Sequence, residues 1–168
     1  EKSEMASVSL YLYGIHSSQK TTLAVNILKE GIKKGYKCRF VLAGELIDNL
    51  MKIQGFKFNI DLDSWLKDLS SSDLLVIDDI FDPNKALFWK NSDNKNMIIA
   101  EWDSFLRSYL SKGSRLILTS NFDVESIKQY YGESLYELID RNVICLYFGD
   151  SIKEERKNKL SSIFEHIK

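Results

Sequence analysis

Short apolar runs alternate along this chain with longer stretches of helical periodicity. Residues 9–13 read as a short buried strand. Residues 20–34 read as a helix, with Leu23, Ala24, Ile27, Leu28 and Ile32 recurring at three- and four-residue spacing. Gly35 stands where a helix C-cap falls. A second strand is expected over 37–42. Residues 44–52 predict a helix turned inward through Leu46, Ile47, Leu50 and Met51, and 54–60 an irregular connection. A short helix over 62–69 presents Trp65, Leu66 and Leu69, and Ser70-Ser71-Ser72 is a turn. Then comes Asp73-Leu74-Leu75-Val76-Ile77-Asp78-Asp79-Ile80, an apolar core followed by two carboxylates. Residues 81–96 are polar and loop-like, with the only proline, Pro83. The spacing of Ile98, Ile99, Trp102, Phe105, Leu106 and Leu110 predicts a helix over 97–111, stopped by Gly113. Residues 115–119 form another buried run ending in Ser120-Asn121. Short helices over 124–130 and 133–139 lead to a fifth strand over 143–148, broken by Gly149, and a charged terminal helix over 151–168.

Strands that alternate with helices predict an α/β domain with a mainly parallel sheet. The length, 168 residues, fits one domain with a sizeable core. Residues 1–7 read as a loose lead-in, 8–150 as the core and 151–168 as the C-terminal helix. The net charge of −1 gives no global basic field, so any nucleic-acid surface has to be a local patch. No apolar run approaches the roughly 18 residues of a membrane span, and no signal-peptide pattern opens the chain. The first residue is Glu1 rather than Met, which suggests a fragment or a processed chain and leaves room for a partner-binding segment upstream. Cys38 and Cys145 lie in apolar strand-like runs and read as reduced, buried thiols of a cytoplasmic protein. With only His16 and His166 elsewhere, no metal cluster is suggested.

The chemistry concentrates in Gly14-Ile15-His16-Ser17-Ser18-Gln19-Lys20-Thr21-Thr22. Strand, tight loop, then Lys-Thr opening a helix is the context of a phosphate-binding loop. The loop amides and the positive end of the helix dipole point at one spot. Lys20 neutralises phosphate charge there, and the Thr21 hydroxyl can ligate Mg²⁺. The usual pattern has a second glycine where this chain has Gln19, which either is absorbed by the loop or lowers nucleotide affinity. Taken alone, the stretch also fits an ordinary polar turn between strand and helix, with His16 either approaching a phosphate or merely solvated. Asp78 and Asp79 end a strand that in a parallel sheet opens on the same edge as the loop. Asp78 is suited to hold Mg²⁺ through water, and Asp79 to orient or deprotonate an attacking water. Asn121 either reaches the γ-phosphate side or caps the following helix.

The order of these parts goes further. The phosphate loop, Leu74-Leu75-Val76-Ile77-Asp78-Asp79, Leu118-Thr119-Ser120-Asn121, Leu138-Ile139-Asp140-Arg141-Asn142 and Gly149-Asp150-Ser151 together resemble the bacterial DnaC/DnaI/IstB group of AAA+ ATPases, over about residues 8–157. The resemblance implies a P-loop NTPase of the AAA+/ASCE type. Its expected architecture is a three-layer sandwich on a five-stranded, mainly parallel sheet, with a minimal C-terminal helical segment. It implies ATP and Mg²⁺ as cofactors, with Gly14, His16, Ser17, Ser18, Gln19, Lys20, Thr21 and Thr22 around the nucleotide and Thr21 and Asp78 on the metal. Asp78 and Asp79 look like the Walker B pair, Asn121 like sensor 1, and Arg141 like an arginine finger reaching into a neighbour's site. Asp79 stands where many relatives have glutamate, and Lys153 where they have arginine. The implied function is that of a replicative helicase loader: an ATPase that assembles head to tail and acts on single-stranded DNA and a DNA helicase in replication. A transposition helper of the IstB type and a weakly hydrolysing scaffold are the alternatives. DNA-facing candidates are Lys52, Phe56 and Lys57, or Lys85 and Lys90.

Overall fold

The structure is a computed structural model and describes residues 8–16, 18–54, 60–81 and 95–149. The expectations for residues 1–7, Ser17, 55–59, 82–94 and 150–168 lie outside the described residues.

Five strands form one sheet: β1 (Leu10–Gly14), β2 (Cys38–Leu42), β3 (Leu74–Asp78), β4 (Arg115–Ser120) and β5 (Ile144–Phe148). Their order is β2-β3-β4-β1-β5, and all four pairings are parallel. The described helices are α1 (Lys20–Lys33), α2 (Ala43–Gln54), α3 (Ile60–Ser70), α4 (Lys95–Ser111), α5 (Val124–Tyr131) and α6 (Glu133–Asn142). None is long and apolar enough to cross a membrane. The chain thus folds as the α/β sandwich its sequence predicts, with element ends shifted by one to three residues. The largest shift is at the end of α6, which runs on to Asn142 instead of stopping at residue 139, and α4 begins at Lys95 and so takes Lys95 and Asn96 out of the expected loop.

Strand alternation divides the core into two layers. On one face Leu12, Val76, Leu74, Ile117 and Cys38 pack with Ala24 of α1. On the other, Tyr11, Leu75, Ile77, Leu116 and Leu118 pack with Leu46, Ile47, Trp102, Leu106, Ile127, Leu135 and Ile139 from the remaining helices. Every residue of β3 is buried, which is why it reads as an unbroken apolar run rather than an alternating one.

The apolar period of α1 does not coincide with its contact line. Leu23 and Ile32 belong to its apolar stripe but are 36% and 55% exposed. The helix meets the sheet through small residues, Ala24 and Gly31. A Cβ at Gly31 would come within 2.9 Å of Cys38 Sγ, so the backbone lies close to the strands and its bulky flanks fall off the contact line. The expectation for Cys145 is corrected: it sits half-buried on the edge strand β5, while Cys38 is buried as expected. Both thiols are free, and burial pushes both up from the ordinary cysteine value.

Because every strand runs the same way, Gly14, Asp78 and Ser120 all emerge at one edge of the sheet. Leu12 lies opposite Thr119 and Tyr13 opposite Ser120, while Ile77 lies opposite Leu118. Strand β4 is therefore the spacer between the loop after β1 and the acids after β3.

Candidate functional site

At that carboxyl edge lies a cavity of about 430 Å³, lined by His16, Ser18, Gln19, Lys20, Thr21, Thr22, Leu42, Asp78, Asp79, Thr119 and Asn121. Nine of the polar residues singled out in the sequence come to this one place. A second cavity, of about 360 Å³, has largely apolar walls including Val8, Leu10, Ile27 and Ile117 at the opposite end of the strands. Its charged lining residues are Glu30, Lys34 and Arg115, whereas Lys20, both acids and Asn121 line the first.

The loop begins with a bend that only glycine fits well. Gly14 has φ +135°, and a Cβ there would collide with the carbonyl of Phe148 on the neighbouring strand. It ends at Gln19, the residue before α1, which has φ +68° and ψ +14°. That left-handed conformation is one a glycine adopts without cost and other residues resist. Gln19 gives the helix no side-chain cap, and the first turn of α1 contains no acid, so its positive end is neither capped nor neutralised by its own residues.

Lys20 opens the helix and is buried, 8% exposed. Its ammonium donates to the carbonyls of Gly14 (3.0 Å) and Ile15 (2.7 Å), to Ser18 Oγ (3.1 Å) and to Asn121 Oδ1 (3.0 Å). Burial pushes the ammonium down from the usual lysine value, and the Asp79 and Asp78 carboxylates oppose that shift. The adjacent Thr21 hydroxyl donates to Asp78 Oδ1 at 2.8 Å. The same carboxylate oxygen accepts the Thr119 hydroxyl at 2.5 Å. Asp79 is exposed at the cavity wall with φ +59°, and Phe81 two residues on has φ +57°, so the chain turns sharply as it leaves β3.

One of the two alternatives for Asn121 is removed. The cap of α5 is Asp123, whose carboxylate accepts the Ser126 N–H at 2.6 Å. Asn121 instead faces the loop, holding Lys20 through Oδ1 with its Nδ2 3.2 Å from His16 Nε2. The turn beneath it is fastened by Tyr11, whose hydroxyl donates to the Phe122 carbonyl at 2.7 Å. Arg141 is not among the cavity's lining residues. It is exposed on α6, with a guanidinium nitrogen 3.5 Å from Glu137. Lys52 is exposed near the end of α2. Ser17, Phe56, Lys57, Lys85, Lys90 and Lys153 lie outside the described residues.

No protein-family model matches the chain, and no curated protein matches it in sequence. Solved structures do match it in fold. The DnaC helicase loader superposes with a TM-score of 0.68 at 22% identity, over 85% of this chain and 79% of that one. The chain shares the fold of the DnaC helicase loader. DnaI gives 0.63 at 18% identity, over 84% of this chain and 70% of that one. Replication initiator DnaA bound to AMPPCP and single-stranded DNA gives 0.64 at 18% identity, covering 92% of this chain and 46% of that one. The chain spans less than half the length of that DnaA structure, and 40% of AMPPCP-bound DnaA from Aquifex aeolicus.

The sequence reading of this fold missed two wall residues. Leu42 ends β2 beside Asp78, its partner in the ladder, and supplies an apolar side to the cavity. Thr119 was in plain view within Leu118-Thr119-Ser120-Asn121, but a β-branched residue in a strand attracts no notice because strands favour such residues anyway.

Proposed function

We propose that this chain is an ATP-binding and ATP-hydrolysing AAA+ protein of the replicative helicase-loader type, acting on single-stranded DNA and a helicase in DNA replication. The observation that supports the reading is the convergence of Lys20, Thr21, Asp78, Asp79 and Asn121 on one cavity at the carboxyl edge of a parallel sheet.

The donor set suits Mg-ATP. Lys20 and the amides at the start of α1 hold the phosphates, exchanging the lysine's present carbonyl and amide acceptors for phosphate oxygens. Thr21 and Asp78, already hydrogen-bonded to each other, are the pair to hold Mg²⁺. The metal, when bound, neutralises charge on the phosphate oxygens. Asp79 orients the attacking water and accepts its proton. Asn121 donates its amide toward the γ-phosphate side, and Arg141, exposed on α6, is supplied to the site of a neighbouring copy in a head-to-tail assembly.

A weakly hydrolysing scaffold is the second reading, and Gln19 in its left-handed conformation is what favours it. Phosphate release from Mg-ATP, measured with and without single-stranded DNA for the wild type and Asp79→Asn, separates the two. Helicase-loader behaviour predicts turnover that DNA changes and that the variant lacks. Turnover absent from the wild type, despite nucleotide binding, supports the scaffold.

A further inference from the structure

We propose that Thr119 is a positioning residue for the two acids: its hydroxyl sets the orientation of the Asp78 carboxylate and holds the left-handed backbone that carries Asp79. The proposal rests on reading the cavity as an ATPase site.

Thr119 is 2% exposed at the end of β4. Its Oγ1 donates to Asp78 Oδ1 at 2.5 Å and accepts the N–H of Asp79 at 3.0 Å. Its carbonyl accepts the N–H of Ile80 at 2.9 Å. One residue thus meets three consecutive positions of the turn, two of them through a single hydroxyl acting as donor and acceptor together. Ser120 continues the fastening, with Oγ donating to the Ile80 carbonyl at 2.6 Å and accepting the Phe122 N–H at 3.0 Å.

The turn needs such support. Asp79 and Phe81 both occupy left-handed φ values that a non-glycine residue keeps only where its surroundings over-determine them. Without the hydroxyl, Asp79 keeps its side chain but loses the backbone hydrogen bond that fixes where the carboxylate starts, and Asp78 loses one of two hydroxyls on the same oxygen. A displacement of such groups affects the chemical step more than the binding of phosphates by Lys20. A plain buried strand residue behaves differently: valine has nearly the same shape as threonine and suits a strand as well, so Thr119→Val is then neutral.

The test compares Thr119→Val and Thr119→Ser in the whole chain. Without nucleotide, amide hydrogen exchange at Asp79 is expected to be about tenfold faster or more in Thr119→Val, and near wild type in Thr119→Ser, which keeps the hydroxyl. With Mg-ATP, Thr119→Val is expected to lower kcat by about tenfold or more while the Kd for ATP stays within about threefold, and serine restores kcat. Unchanged exchange at Asp79 in Thr119→Val overturns the proposal, as does wild-type kcat in that variant or a serine variant as impaired as the valine. A wild type that hydrolyses no ATP counts against the ATPase reading instead, and the exchange measurement still decides whether Thr119 holds the turn.

Discussion

The ammonium of Lys20 donates to the side-chain oxygen of Asn121 at 3.0 Å, joining the loop after β1 to the end of β4 across 101 positions of sequence. The same asparagine places its amide nitrogen 3.2 Å from His16 on the loop. Asn121 is therefore linked both to the residue expected to neutralise phosphate and to the loop that surrounds it. Replacing it by alanine is expected to leave ATP binding within a few-fold of wild type and to lower turnover by roughly a hundred- to a thousandfold, as for loss of one polar group aimed at transition-state charge. Titration calorimetry and phosphate release on Asn121→Ala check the two halves. A fall in affinity with kcat intact would assign the residue to binding instead.

Gln19 holds φ +68° where the loop pattern has glycine. The left-handed region costs a non-glycine residue roughly 1–2 kcal/mol, and glycine gives back part of that gain through its larger unfolded-state entropy. Gln19→Gly is thus expected to raise stability by up to about 1 kcal/mol and to tighten ATP binding. Denaturant unfolding and titration on the one variant test both effects. Weaker ATP binding in the variant would show that the glutamine side chain contributes to the site.

Arg141 is well exposed and pairs only at 3.5 Å with Glu137 on its own helix, an interaction of small consequence for stability. Arg141→Ala is expected to keep the wild-type melting temperature and ATP affinity but to lose most turnover. Mixing it with Asp79→Asn is expected to give more activity than the two proteins measured apart, because an intact acid site then meets an intact arginine from the other copy. Wild-type turnover in Arg141→Ala would remove the residue from the mechanism.

Two buried phenols predict alkaline sensitivity. Burial pushes the Tyr109 hydroxyl, which donates to the Ser72 carbonyl at 3.0 Å, up to about 12, and it pushes Tyr11 higher still. Tyrosines in the unfolded chain ionise near pH 10. The stability these neutral phenols carry is therefore fully present below about pH 10 and is lost as the pH rises toward 12. For Tyr109 the loss amounts to about 2–3 kcal/mol across that window. Urea unfolding at pH 8, 10 and 11 measures it, and Tyr109→Phe is expected to flatten the slope.

Much of the fold was legible because burial leaves a plain mark. Leu74 to Ile77 read as a central strand since both faces of β3 are covered, and the parallel topology then set Gly14 and Asp78 on one edge. What escaped was set by close approach and by hydroxyl geometry. The contact line of α1 runs through Ala24 and Gly31, so Leu23 and Ile32 fit the apolar period and are nonetheless exposed. Tyr109 is fully buried on α4 but was passed over, because its polar tip gives no hint that Ser72 waits to accept it. Asn121 sat two residues from the true cap, Asp123, and sequence alone allowed it either role. For Tyr109 and Asn121 the deciding partners, Ser72 and Lys20, lie far off in sequence.

The central claim is that the cavity at Lys20 binds the phosphates of ATP. Isothermal titration of ATP in Mg²⁺, on the wild type and on Lys20→Ala, tests it most directly. The wild type is expected to bind one nucleotide per chain with saturable heat, and Lys20→Ala to lose that heat while keeping its fold by circular dichroism. Absence of heat and of any thermal shift with the wild type at millimolar nucleotide, or equal binding by Lys20→Ala, would contradict the account.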